Sequence, residues 1–545
     1  MTAPRDTLAR LRDGARAFAF RNPLYGLTLA GRAPSALSCV PNDPWPGDAA
    51  AGGELLEGRY RFAGTLVEAE EPPWSQAGVH PAWHSAINGF EWLRDLRAVG
   101  GDTARRHARA LITSWLDRNH GWREESWVPD VLGMRVATWI GLHDFYCSSA
   151  DDAFRTRVFE SLARQARHLG RVTPGTLDGA RLMAAIKGLV FAGVALPGAE
   201  RGLVAGLRLL ERELPRQVLP DGGHAERNPE THLHVLRHLI DMRAALRMAK
   251  AELPEALQHA IDRMTPALRF FRHGDGGLAL FNGGQEGEGA LVDAVLAQSD
   301  ARGRPLKSMP HSGFERLLAG RTLVLMDVGR PPPPGLDAHA HAGALAFEMS
   351  VGRERLIVNC GAHPCPTGPW RSGLAATAAH STVTVEETNS AEVLEGGGIG
   401  RRPGRVSCER VEGDGATLVE AGHDGYLRSF RLAHHRRLYL ADNGEDLRGE
   451  DVLEGPAGHA FTVRFHLHPS VQVSLIQNGA AALLRLPGGT GWRLRATGGR
   501  LALAESVHLG SGEDARRTSQ ITLSGTTLPD RTAIKWALRR EKKQP

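Results

Sequence analysis

Apolar side chains recur at helical spacing through the first half of this 545-residue chain. The clearest segments are Thr103–Asp117, Val131–Tyr146, Ala153–Leu169, Arg181–Leu196, Gly202–Pro215 and Asn228–Lys250. In the last, Asn228 suits an N-cap, Pro229 the first helical position and Glu230 the first turn, with Leu236, Leu239, Ile240 and Ala244 as the inward stripe. The richest apolar run, Leu182 to Leu196, is broken by Lys187 and reads as a buried helix. No run reaches the roughly 18 residues that would make a membrane span. Successive helices with short Gly/Pro connections predict stacked hairpins or a toroid of helices. After the Gly-rich Gly283–Gly289 stretch the period changes to two, over Thr322–Asp327, Leu345–Ser350, Leu356–Asn359, Thr382–Val385, Ser429–Leu440 and Val463–His468. Within Val463–His468, Val463, Phe465 and Leu467 face one way, and Arg464, His466 and His468 the other. Short strands with Gly-rich turns predict a β-sandwich. The expected fold is therefore α+β and multidomain, with an (α/α) toroid over 1–300 and an antiparallel β-sandwich over 301–545.

Composition narrows the class without naming a chemistry. The hydrophobic share of 42% and charged share of 23% are those of a globular protein, and the net charge of +5 is small for the length. It permits an acidic polymer as partner. Nucleic acid is not expected, because the one basic cluster is the short Arg539-Arg540-Glu541-Lys542-Lys543 tail. Five scattered cysteines read as reduced thiols without zinc-knuckle spacing. The opening stretch MTAPRDTLARLRDGARAFAF shows no continuous apolar core of a secretory signal, which favours the cytoplasm.

Four constellations carry candidate chemistry. In Asp221-Gly-Gly-His224-Ala-Glu226-Arg227-Asn228-Pro229, His224 and Arg227 precede a helix N-terminus, where backbone N–H groups favour an anion such as a uronate carboxylate. A polar loop satisfied by its own backbone is the simpler reading. In His339-Ala-His341, period-two geometry puts both imidazoles on one strand face, with Asn359 and His380 further on. In His423-Asp-Gly-Tyr426, followed by His434-His435-Arg436-Arg437, nearby cations could stabilise a tyrosinate base, although a tyrosine packed on the sheet explains the pattern more simply. Trp74, Trp83, Trp92, Trp115, Trp122 and Trp127 are concentrated in one stretch, as a sugar-stacking trough would require, and core packing accounts for at least half of them.

Several of these motifs together resemble the heparinase II/III family. The resemblance is strongest in DAHAHAGALAFEMSVGRERLIVNCG, WRSGLAATAAHSTVTV, HDGY and HHRRLYL, with WVPDVLGMRVATW, IKGLVFAGVALPG and DGGHAERNP in the helical half. It implies β-elimination on a uronic-acid-containing polysaccharide: a base removes the C5 proton while the carboxylate is neutralised and an acid reaches the leaving oxygen. Carried over residue by residue, it implies His224, Arg227, His339 and Tyr426 as the catalytic set, converging on one cleft. Trp122, Trp127, Arg135, Arg181 and His435 are the implied substrate contacts. A structural zinc on His341, Asn359 and His380 is the implied metal, with no other cofactor. Envelope or periplasmic location follows from the same likeness.

The chain also departs from the family pattern. The toroid motif of active lyases carries a tyrosine two residues after its proline, where this chain has Thr231, and threonine is no base near neutral pH. Asn359 stands where an aspartate would bring charge to a zinc. The leading expectation is a polysaccharide lyase with a shifted base, Tyr426 or a histidine. Its rivals are a non-catalytic glycan-binding or envelope-assembly protein on the same fold, and a hydrolase using carboxylates such as Asp130, Asp221 or Glu226.

Overall fold

A computed structural model describes Gly14 and residues 17–365, 368–512 and 514–541. The opening residues read for a signal, up to residue 13, and the basic tail positions Lys542 and Lys543 lie outside the described residues. The chain forms two compact units, Met1–Pro215 with Val235–Ile261, and Arg216–His234 with Asp262–Pro545.

The first unit is helical. Its helices include Gly101–Arg118, Pro129–Gly141, Asp152–Val172 and Gly179–Ala195, close to the segments that periodicity predicts. Asp151 caps the third of these, its carboxylate accepting the Phe154 N–H at 2.7 Å. Gly179–Ala195 is buried on nearly every face and packs against Pro129–Gly141. The two backbones meet at glycines: a Cβ on Gly188 would lie 2.3 Å from the Cα of Gly133. Lys187 does interrupt this buried helix, and its ammonium is satisfied by Asp241 at 2.6 Å. Asp241 also accepts the Trp45 indole N–H at 2.7 Å. A single small hairpin, Arg59–Phe62 with Thr65–Glu68, is the unit's sheet among the described residues.

Helix Pro229–Met248 begins as expected, Asn228 Oδ1 accepting the N–H groups of Glu230 and Thr231 at 2.9 and 3.0 Å. The last long helix, Gly289–Gln298, precedes the first strand of the second unit, Ser308–Met309. From there the chain is antiparallel β, in two sheets. One sheet orders its main strands Arg500–His508, Arg516–Thr526, Ala460–Leu467, Glu354–Val358, Phe347–Val351, Thr322–Asp327, Phe314–Ala319 and Ser308–Met309. The other runs Gln472–Ile476, Ala481–Arg485, Gly491–Thr497, Asp530–Arg540, Asp446–Gly455, Ala433–Ala441, Ala416–His423 and Val406–Gly413. Their inner faces share one core, in which Phe347 stacks on Trp536 with centroids 5.6 Å apart and Phe465 meets that indole edge-on at 4.9 Å.

The predicted Ser429–Leu440 strand starts later than its pattern, at Ala433, because Leu427–Phe430 forms a helical turn. Arg431 ends that turn in the left-handed region, with φ 59°. No helix among the described residues is long and apolar enough to cross a membrane.

Candidate functional site

The Asp221–Pro229 turn belongs to the second unit, and its polar groups are committed within that unit. Asp221 accepts the N–H and hydroxyl of Ser312 at 2.7 and 2.6 Å. His224 Nδ1 accepts the Glu226 N–H at 3.3 Å, which leaves Nε2 to donate to Gln217 Oε1 at 3.2 Å. Burial, and secondarily His232, push its pKa down to about 3, so the ring is neutral. Arg227, at φ 53°, donates to the carbonyls of Ser312, Arg330 and Gly313 at 2.6, 2.6 and 3.1 Å and pairs with the buried Asp327. Its guanidinium also lies over the Phe314 ring at 4.6 Å. The carboxylate it neutralises is therefore the protein's own.

His339 and His341 do not share a strand face. They sit in an irregular segment, His339 exposed and His341 buried. His341 Nδ1 and His380 Nε2 are 3.2 Å apart, and His380 Nδ1 donates to the Ala376 carbonyl at 2.8 Å. That bond makes His380 Nε2 the acceptor and His341 Nδ1 the N–H donor. Asn359 lies within a hydrogen-bond network: its oxygen accepts the Ser381 N–H at 3.0 Å, while its NH₂ donates to Leu280 O and Glu348 Oε1 at 3.2 and 3.3 Å. It brings no charge to the neighbouring pair of imidazoles, which makes it a poorer zinc ligand than a carboxylate. Glu348 is wholly buried and also holds His273 at 3.0 Å, a network that local sequence does not announce.

Tyr426 is a core residue rather than a cleft residue. Its side chain is 0% exposed, and its hydroxyl donates to the Val383 carbonyl at 2.7 Å. Burial raises its pKa, the opposite of what a base needs. The neighbouring HHRR strand alternates as period two requires. His434 and Arg436 point inward onto Asp451, at 2.9 and 2.7 Å, and the Trp536 indole joins them at 3.0 Å. Burial alone would raise the Asp451 carboxyl, but Arg436 and His434 outweigh it and hold it well below the carboxylate range. His435 points outward and lies 3.7 Å from Glu454.

In the helical unit, Arg135 is wholly buried, donating to Gln165, the Asn88 carbonyl and the Ser126 carbonyl at 2.7 to 2.8 Å. It lies over the Trp115 ring at 4.3 Å. Trp74, Trp83, Trp92, Trp115 and Trp127 are all buried, so the tryptophan concentration is core packing rather than a trough. Trp122 is half-buried, with the Arg21 guanidinium 5.9 Å from its ring centroid. The exposed Arg181 is paired with Asp130 at 2.6 Å.

One surface that the sequence reading missed is a groove on the outer face of the sheet containing Ala433–Ala441. Arg437, Arg448, Arg495 and Lys535 line it with Glu450; Arg437 is also paired with Glu420 at 2.8 Å, and Arg448 with Asp446 at 2.7 Å. Arg448 lies over the Tyr439 ring at 5.3 Å. The only local signal was outward-facing arginines on alternate strand positions.

A helical unit and an antiparallel two-sheet unit of this order match solved lyase structures. The crystal structure of a heparinase III aligns with a TM-score of 0.72 at 13% identity, over 90% of this chain and 84% of that one. Heparan sulfate lyase HepC from Pedobacter heparinus aligns with a TM-score of 0.59 at 16% identity, over 96% and 88%. These likenesses define the fold. The family models described as heparinase II/III N-terminus and heparinase II/III-like, C-terminal, match residues 103–299 and 301–537. The chain belongs to the heparinase II/III family. FtsZ-localized protein C of Caulobacter vibrioides is 36% identical to it over 538 residues, 94% of this chain and 92% of that protein.

Proposed function

We propose that this chain is a non-catalytic, anionic-glycan-binding protein of the dividing cell envelope, built on a lyase fold. The observation that carries the reading is the burial of Tyr426, one of the two expected substitutes for the base missing at Thr231, with its hydroxyl bonded to Val383. Two of the other implied groups support it, while His339 is exposed. Arg227 is held by Asp327 and three carbonyls, and His224 is a neutral partner of Gln217. The division context comes from the name of the Caulobacter relative, whose match runs through nearly the whole of both chains.

The basic groove supplies the binding surface in this reading. Arg495 and Lys535 in this groove suit the carboxylates of a sugar acid, while Arg437 and Arg448 are engaged by Glu420 and Asp446. Cosedimentation with a uronate-containing polymer tests it. The wild type should bind with an affinity that falls as salt rises, and Arg495→Glu with Lys535→Glu should weaken binding at least tenfold. Binding that ignores both substitutions would remove the groove from the account.

A further inference from the structure

Among the described residues, one group of three His, Cys, Asp or Glu side chains brings its ligand atoms within 4.8 Å of one another: Glu286, His468 and His508. They come from separate places in the second unit. Glu286 follows the Gly283–Gly284 turn, His468 follows the Ala460–Leu467 strand, and His508 ends the Arg500–His508 strand. Those two strands are the neighbours, on either side, of Arg516–Thr526. The Glu286 backbone is tied to the same place, its N–H donating to the Gly510 carbonyl at 2.6 Å.

His508 Nε2 lies 3.2 Å from Glu286 Oε1, and the rings of His468 and His508 stand nearly perpendicular, with centroids 5.2 Å apart. Tetrahedral zinc with bonds of 2.0–2.1 Å separates its ligand atoms by about 3.4 Å, so small side-chain rotations would complete the set. Glycine at 510 keeps the approach open. A Cβ there would come within 2.3 Å of His508 Nε2 and 2.4 Å of Glu286 Oε1. His508 is wholly buried, and the nitrogen it turns toward Glu286 and Gly510 is Nε2. His468 is oriented from behind by Ser470, whose hydroxyl lies 2.7 Å from Nδ1.

The local charge balance admits a cation. Arg355 lies between two carboxylates, 3.5 Å from Glu286 Oε1 and 2.6 Å from Asp275. Arg516, exposed, is the other cation felt by His468. Burial raises the Glu286 carboxyl, but hydrogen bonding from His508 and the charges of Arg355, His508 and His468 together bring it down to about 2. Burial, then His508, lowers His468 to about 4.

We propose that Glu286, His468 and His508 form a zinc-class divalent metal site that ties the Gly283–Gly289 loop to the ends of two sandwich strands. Three protein ligands leave the fourth position to water. The donor set favours zinc over calcium or magnesium, which take oxygen ligands.

The test is titration of chelator-stripped full-length protein with zinc alone, read by competition with a chromophoric chelator and by the thermal midpoint. One zinc per chain should bind and raise the midpoint. His468→Ala and Glu286→Gln, both at partly exposed positions, should each weaken binding at least tenfold while circular dichroism stays unchanged. His341→Ala should leave zinc affinity as in the wild type. Absence of zinc binding in the wild type would overturn the assignment. So would binding that survives His468→Ala and Glu286→Gln but disappears in His341→Ala.

Discussion

Each polar side chain singled out by motif has a hydrogen-bonding capacity, and what the fold leaves unoccupied decides what the residue can do. Tyr426 has one hydroxyl, and it donates to the Val383 carbonyl. Tyr426→Phe should therefore lower stability by about 1 kcal/mol, the net worth of one buried hydrogen bond, and leave glycan binding unchanged. Chemical denaturation with a binding assay on the same preparation checks both; lost binding at unchanged stability would return the tyrosine to a functional surface. Local sequence could place Tyr426 beside a turn and a basic strand, but not name Val383 as its partner. Lys187 shows the converse. A lysine inside an apolar helix was visible in the sequence, and its partner, Asp241, lies on another helix.

Elements were the most legible level, because periodicity and caps are local properties. Asn228 caps its helix as read, and Thr322–Asp327 is a strand over the predicted bounds. Misreadings arose where packing between elements decides. The 339–341 segment alternates like a strand, yet it is irregular, and of its two histidines only His341 is inside. Arg227 looked like a free anion holder at a helix start, since its partners at 312, 313, 327 and 330 belong to a distant stretch of chain. The glycine contact between Pro129–Gly141 and Gly179–Ala195 was likewise invisible in either segment alone. Gly188→Ala puts a methyl group against backbone that cannot rotate away, so it should cost about 1–3 kcal/mol despite alanine's better helix propensity. A lowered thermal midpoint checks this, and a raised one would mean that the helices cross elsewhere.

For the molecule as a whole, buried neutral histidines set the response to acid. Burial is the leading cause holding His224 at about 3, and His232 and His380 at about 4. In the unfolded chain these rings accept protons near the ordinary value of about 6.5, so the unfolded state binds more protons between the two values. Stability should be full above about pH 6.5 and fall steadily as pH drops toward 4. Urea midpoints measured across that window check the sign, and a midpoint that rises on acidification would contradict it. The central claim is that the lyase fold persists here without lyase chemistry. It is tested most directly by incubating the purified chain with a panel of uronate polymers and following the ultraviolet absorbance of the C4–C5 double bond that β-elimination creates. No rise above a protein-free control is expected for any polymer, including those the chain binds. A rise that scales with protein concentration and survives repurification would contradict it.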